Sequence, residues 1–149
     1  MLGSSYAAGE GVSQDFNRAV ELFKRACDGK QHVGCVGLGR LHVAGHGVAA
    51  NDSIANVLFK AACDSAESTG CLAFGEQIEA GRGHPQDFNA AASLYRNACE
   101  LRLGEACYRL AMLHDRGAGV WRDPERVTSL NRRACEYGYA PACVRPKAS

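Results

Sequence analysis

Eight of the 149 residues are cysteine, and their thiols are the groups in this chain best suited to covalent chemistry or metal ligation. They are Cys27, Cys35, Cys63, Cys71, Cys99, Cys107, Cys135 and Cys143. Zinc is disfavoured, because no C-x2-C occurs and seven intervening residues is not a ligand spacing. His42 and His46 stand at i, i+4, which on a helix could share a metal. Gly45 and Gly47 end the helix there, however, and no glutamate completes an H-E-x-x-H pattern. His42 reads as a core-slot residue; His46, His32 and His84 read as loop residues. A serine acyl-transfer site of the β-lactamase type needs S-x-x-K with S-D-N and K-T-G nearby. None of the three is present, and Ser53, Ser65, Ser93 and Ser129 all lack a lysine three residues on. The four G-x-G stretches lack the strand–loop–helix context of a phosphate cradle. The expectation is no catalytic residue, no metal and no cofactor, with the cysteines serving structure.

The elements that position these cysteines are repeats. Each pair is eight residues apart, and each pair follows the last by 36. Leu22, Leu58, Leu94 and Leu130 keep the same phase, as do Ala26, Ala62, Ala98 and Ala134, and the glycines Gly9, Gly45, Gly81 and Gly117 with Gly11, Gly47, Gly83 and Gly119. A fixed period of this length marks a repeat architecture. Each unit reads as two helices. In the first, Cys35, Leu38, Gly39 and His42 form one helical stripe, ended by Gly45 at the C-cap. In the second, Asn51 or Asp52 offers an N-cap, with Asp15, Asp87 and Asp123 equivalent, and Ala55, Leu58, Phe59 and Ala62 form the stripe. Ala19, Leu22, Phe23 and Ala26 repeat it, as do Ala91, Leu94, Tyr95 and Ala98. In Val127, Leu130, Asn131 and Ala134 the asparagine breaks the aromatic series, as expected of a terminal unit facing solvent. No segment alternates with period two, so no strand is predicted.

Along one helix eight residues rise about 12 Å. A disulfide needs Cα atoms within roughly 4.4–6.8 Å. A bonded pair therefore requires a chain reversal, and DGKQHVG, DSAESTG and ELRLGEA supply it, the third being only weakly turn-like. Repeat symmetry leaves two pairings. Joining Cys35 to Cys63 and its equivalents strands Cys27 and Cys143, whereas Cys27–Cys35, Cys63–Cys71, Cys99–Cys107 and Cys135–Cys143 use every cysteine. The second is the expected pairing, each loop contributing about 2.5 kcal/mol in the chain-entropy model. The rival is four pairs of reduced, buried thiols in a cytosolic scaffold.

LGRLHVAGHGVAANDSIANVLFKAAC resembles the Sel-like repeat, a relative of the tetratricopeptide repeat, through Leu38, Gly39, Gly45, Gly47, Val48, Ala55, Leu58, Phe59, Lys60, Ala61 and Ala62. The family's tyrosine is Tyr6 in the first unit and His42, Ile78 and His114 in the others, so His114 reads as its substitute rather than as a general base. The cysteine spacing is similar to the cysteine-rich, Hcp-type branch. The resemblance implies an all-α fold, a right-handed α-solenoid of about four disulfide-stapled helix-turn-helix repeats of 36 residues, with a concave face for partners. The units run about 1–32, 33–68, 69–104 and 105–140, with a further one starting at 141–149. The late start of the first unit and the short tail lead us to expect a piece cut from a longer array. Some members of this branch carry a β-lactamase or penicillin-binding assignment, which makes a weak β-lactam hydrolase the alternative activity.

The expected partner surface is a second stripe on the first helices: Val36, Arg40 and Val43, then Leu72, Glu76 and Glu79, then Tyr108, Met112 and Asp115, with Ser4 and Ala7 before them. Its mixture of apolar and charged side chains suits a protein or peptide partner. The competing reading, inter-repeat packing, weighs most on Val36, Leu72 and Tyr108. Trp121 sits in a turn, either as a contact or packed beneath the loop. Lys24, Lys60, Arg96 and Arg132 recur as well, near helix C-termini where cations complement the dipole. A net charge of +1 gives no electrostatic footprint for nucleic acid. No apolar run is long enough to insert in a membrane. The N-terminus lacks the form of a signal peptide, so secretion or residence in the periplasm would depend on sequence preceding Met1. The sequence does not set an oligomeric state.

Overall fold

A computed structural model describes residues 14–143. Among them the chain forms seven α-helices and no strand: α1 (Gln14–Asp28), α2 (His32–Ala44), α3 (Asp52–Asp64), α4 (Ser68–Ala80), α5 (Phe88–Glu100), α6 (Gly104–Arg116) and α7 (Pro124–Glu136). A short 3-10 turn, Ala140–Ala142, follows. Each helix packs on its chain neighbours, and α2 also meets α4. The first-unit residues Ser4, Tyr6, Ala7, Gly9 and Gly11, and the tail after Cys143, lie outside the described residues.

Two kinds of turn alternate. After α2, α4 and α6 the C-cap is glycine in the left-handed conformation, with φ 71° at Gly45, 71° at Gly81 and 65° at Gly117. The next helix opens on a side-chain cap. Asn51 accepts from the Ile54 amide at 3.0 Å, Asp87 from Ala90 at 3.0 Å and Asp123 from Arg126 at 3.1 Å. Such a cap satisfies one orphan N–H of the first turn and is worth about 1 kcal/mol. α1 begins at Gln14, so Asp15 sits in its first turn, where a carboxylate still complements the dipole.

The other turn carries the disulfides. Cys27–Cys35, Cys63–Cys71, Cys99–Cys107 and Cys135–Cys143 are all bonded, with Cα atoms 4.6, 4.5, 4.7 and 4.8 Å apart. The reversal is made by a residue at positive φ: Lys30 at 64°, Ala66 at 64°, Arg102 at 69° and Gly138 at 95°. These four are also 36 apart. Only one is glycine, and the others hold a conformation that costs a side chain about 1–2 kcal/mol. Paired backbone bonds enforce it, as in Lys30 N–H to Cys27 O at 3.0 Å with Gln31 N–H to Ala26 O at 2.8 Å. The weak turn signal of ELRLGEA is explained by this: Arg102 takes the same φ through those bonds.

The core is a ladder of rings set against small residues. A Cβ on Gly39 would fall 2.5 Å from the Phe59 ring, and one on Gly75 would fall 2.6 Å from that of Tyr95. In the next unit the aromatic is replaced by Asn131 and the glycine by Ala111, which is buried. The added methyl offsets only part of the lost ring volume. Asn131 does not face solvent as expected: it is half-buried, and its Oδ1 is buried without a hydrogen-bond partner among the described residues. The small residues Ala55, Ala62, Ala91, Ala98 and Ala134 are fully buried and bring the helices close.

Candidate functional site

The first helices of the third and fourth units, α4 and α6, are knit together along one side by charges. Arg109 on α6 reaches Glu76 on α4 at 2.9 Å and its own-helix Glu105 at 3.2 Å. Arg116 on α6 reaches Glu79 on α4 at 3.2 Å, and Glu79 also accepts the Tyr95 hydroxyl at 2.6 Å. These pairs join first helix to first helix and leave a shared face beside them. Burial pushes the Glu76 carboxyl above the usual carboxylate range, against the pull of Arg109 and Arg40. Burial and the hydrogen bond to Glu79 push the Tyr95 hydroxyl far up, so it is a donor at every physiological pH. Burial opposes the charge of Arg109, but Glu76 and Glu105 hold its guanidinium above its ordinary value.

The nine residues of the expected stripe divide. Arg40, Val43 and Glu76 converge on one cavity of about 360 Å³, together with Phe59, Gln77 and Arg82. Arg40 is exposed and makes no ion pair among the described residues. Glu79 stands one turn away, tied to Tyr95 and Arg116. Tyr108 is half-buried, with its ring 5.2 Å from that of Tyr139. Met112 and Asp115 are exposed further along α6. Val36 and Leu72 are only 4% and 3% exposed and belong to the core, so they offer no surface. Their burial follows from topology: a first helix packs against a second helix on each side, leaving a narrow strip uncovered.

Two contributors to this region, Gln77 and Arg82, were not singled out from the sequence, and Asp52 was named there only as a helix cap. Gln77 is 5% exposed and donates to Asp52 at 3.0 Å. Arg82 pairs with the same carboxylate at 3.3 Å, and its backbone oxygen accepts from Asn56 at 2.9 Å. The signal was legible in the repeat. At the same positions one unit later stand Phe88, Ala92, Leu113 and Ala118 in place of Asp52, Asn56, Gln77 and Arg82. Four polar residues replace an apolar cluster at one junction, and the cavity opens beside them.

Among the described residues, the histidines and serines named from the sequence do not assemble a reactive site. His42 Nδ1 lies 3.4 Å from Ala49 O, while His46 stacks on Phe16 with centroids 4.3 Å apart. His84 Nδ1 faces Pro85 O at 2.7 Å, and His32 opens α2 rather than sitting in the loop. Ser53, Ser65, Ser93 and Ser129 are exposed, and among the described residues none is hydrogen-bonded to a lysine or histidine. No helix among the described residues is long and apolar enough to cross a membrane.

Antiparallel helix pairs of one period, each clipped to the next by a disulfide across a tight turn, define a helical solenoid of helix-turn-helix repeats. The Sel1 repeat pattern matches residues 1–30, 32–66, 73–103 and 104–126, and the chain belongs to the Sel1 repeat family. Solved structures agree. A Sel1 repeat protein from Oxalobacter formigenes is 25% identical over 95% of this chain and 58% of its own, with a TM-score of 0.83. The protective antigen c5321 of uropathogenic Escherichia coli, described as having an SLR fold, is 26% identical over 95% of this chain and 30% of its own, with a TM-score of 0.82. Helicobacter pylori cysteine rich protein B is 25% identical over 91% of this chain and 97% of its own, with a TM-score of 0.71. The chain thus spans well under two thirds of the first two, and nearly all of the cysteine-rich relative. No curated protein matches the chain.

Proposed function

We propose that this solenoid is a binding scaffold whose partner, a protein or peptide, lies along the face of α2, α4 and α6, in an oxidising compartment: secreted or periplasmic. The observation that carries the reading is the convergence of Arg40, Val43 and Glu76 on one cavity floored by Phe59 and Gln77. It offers an apolar wall, an exposed cation and a half-buried carboxyl within one recess, the mixture that anchors a side chain and fixes its orientation. The disulfides limit reorganisation, so binding to a preformed surface loses little conformational entropy. They also support the compartment, since such bonds persist where thiols are not kept reduced. Sel1 repeat proteins generally mediate protein interactions, which supports the same reading.

The test is panning of a displayed peptide library against the oxidised protein, followed by rebinding to Arg40→Ala and Val43→Asp. The expected result is at least a tenfold loss in both variants with an unchanged melting temperature. Undiminished binding by both would move the partner surface elsewhere.

A further inference from the structure

A second recess lies on the opposite kind of helix, between α5 and α7, and is independent of the face discussed above. It has a volume of about 730 Å³ and is lined by Asn89, Arg96, His114, Trp121, Asp123 and Arg126 with the glycines of the α6–α7 turn. Two features distinguish it from the equivalent grooves, and a third, shared in kind with His42, fixes its rim. Trp121, the chain's only tryptophan, is 90% exposed at its rim and so does not pack beneath the loop. A tryptophan is highly buried on average, so an indole held this far into water is unusual. At the two preceding grooves the equivalent residues are Ala49 and Pro85, and those matching Arg126 are Ile54 and Ala90. The indole and the second guanidinium therefore occur together at this junction alone.

Charge supplies the second feature. Arg96 makes no ion pair among the described residues, and the single carboxylate of the groove is already engaged. Asp123 Oδ1 caps the Arg126 amide at 3.1 Å, and its Oδ2 is only loosely placed, 3.8 Å from Arg126 Nε. Two guanidiniums against one carboxylate leave the groove cationic. The third feature is His114, 6% exposed, in the floor. Its Nδ1 lies 2.9 Å from Trp121 O, which can only accept, so that nitrogen carries the proton. Nε2 is buried with no partner among the described residues. The same bond ties the backbone of Trp121 to α6 and fixes the position of the rim.

We propose that this groove binds a carboxylate attached to a flat apolar group, the ring stacking on Trp121 and the carboxylate held by Arg96 and Arg126. Guanidinium and carboxylate match in geometry and charge, and an exposed indole gives the ring a stacking surface. Two sources share that chemistry: a free aromatic acid, and a peptide chain ending in an aromatic residue.

The lone tryptophan makes the test direct. Its fluorescence is titrated in the oxidised protein with N-acetyl-phenylalanine, with an alanine tetrapeptide bearing a C-terminal phenylalanine, and with the carboxamide of each. The expected result is a saturable change with the acids, and at least tenfold weaker binding by the carboxamides. Arg96→Ala and Arg126→Ala should each weaken the acids by about tenfold with the same helical circular dichroism. Tetrapeptide binding tighter than that of the amino acid by tenfold or more assigns a chain end, and equal affinities assign a free acid. No saturable change with either acid, or equal binding of acid and carboxamide, would overturn the proposal.

Discussion

Two neighbouring junctions use the same four repeat positions in opposite ways. Between the third and fourth units the positions hold Phe88, Ala92, Leu113 and Ala118, all packed into one apolar cluster. Between the second and third they hold Asp52, Asn56, Gln77 and Arg82, joined by hydrogen bonds and an ion pair. A repeat slot therefore specifies a volume and a satisfied environment rather than a chemistry. The polar version leaves Asn56 Oδ1 buried without a partner among the described residues, which costs about 1–3 kcal/mol. Departures of this kind from the local pattern gather at functional sites, and the cavity of Arg40, Val43 and Glu76 adjoins this junction.

Exchanging the two chemistries breaks the comparison most severely. Leu113→Gln places an amide in the apolar junction with nothing to bond and should cost about 3–5 kcal/mol, from lost apolar burial and an unsatisfied polar group. The reverse change, Gln77→Leu, should stay within about 1 kcal/mol, because Asp52 keeps Arg82 and partial access to water. Denaturant melts of both variants measure the asymmetry, and equal losses would show the polar junction to be as specific as the apolar one.

The disulfides sharpen the same contrast at smaller cost. Cys99 and Cys107 are 1% and 0% exposed, whereas Cys143 is exposed. Both bonds close loops of equal length and share a loop-closure contribution of about 2.5 kcal/mol. Replacing Cys99 and Cys107 by alanine should lose that and about 1 kcal/mol more, from the cavity left by buried sulfur. Replacing Cys135 and Cys143 should lose about the loop contribution alone. Equal losses in thermal or urea unfolding would remove packing from the account of the buried bond.

The smallest effect belongs to Glu76. Burial raises its carboxyl in the fold, so the folded state holds that proton more tightly than the unfolded chain does. Its contribution to stability is fully present below the unfolded value and is lost as pH rises through the folded one. Glu76→Gln removes this titration, and Arg109 keeps Glu105 as a partner. The glutamine variant should therefore gain in melting temperature relative to the parent between about pH 4 and about pH 7. A gap that stays flat or narrows over that range would contradict the direction.

The period, the helix pairing, the glycine turns and the disulfide partners were all legible in the sequence, because each depends on local spacing. Cys27 and Cys35 can bond only across a reversal, and the Gly45 and Gly81 turns declare themselves by residue type. The positive φ of Lys30, Ala66 and Arg102 was not legible, since paired backbone hydrogen bonds of the turn impose it on residue types that do not prefer it. Nor were the Glu76–Arg109 and Glu79–Arg116 pairs, which depend on how one unit is rotated against the next. Val36 and Leu72 fell on the expected surface stripe because a helix wedged between two neighbours has more than one buried side, and a single period cannot tell them apart.

Amide hydrogen exchange of the oxidised protein, with and without a peptide selected by panning, tests the partner face most directly. Added protection at residues 36–43 on α2 and 72–82 around the C-terminal end of α4 is the predicted result. Protection confined to α3 and α5, with α2 and α4 unchanged, would contradict it.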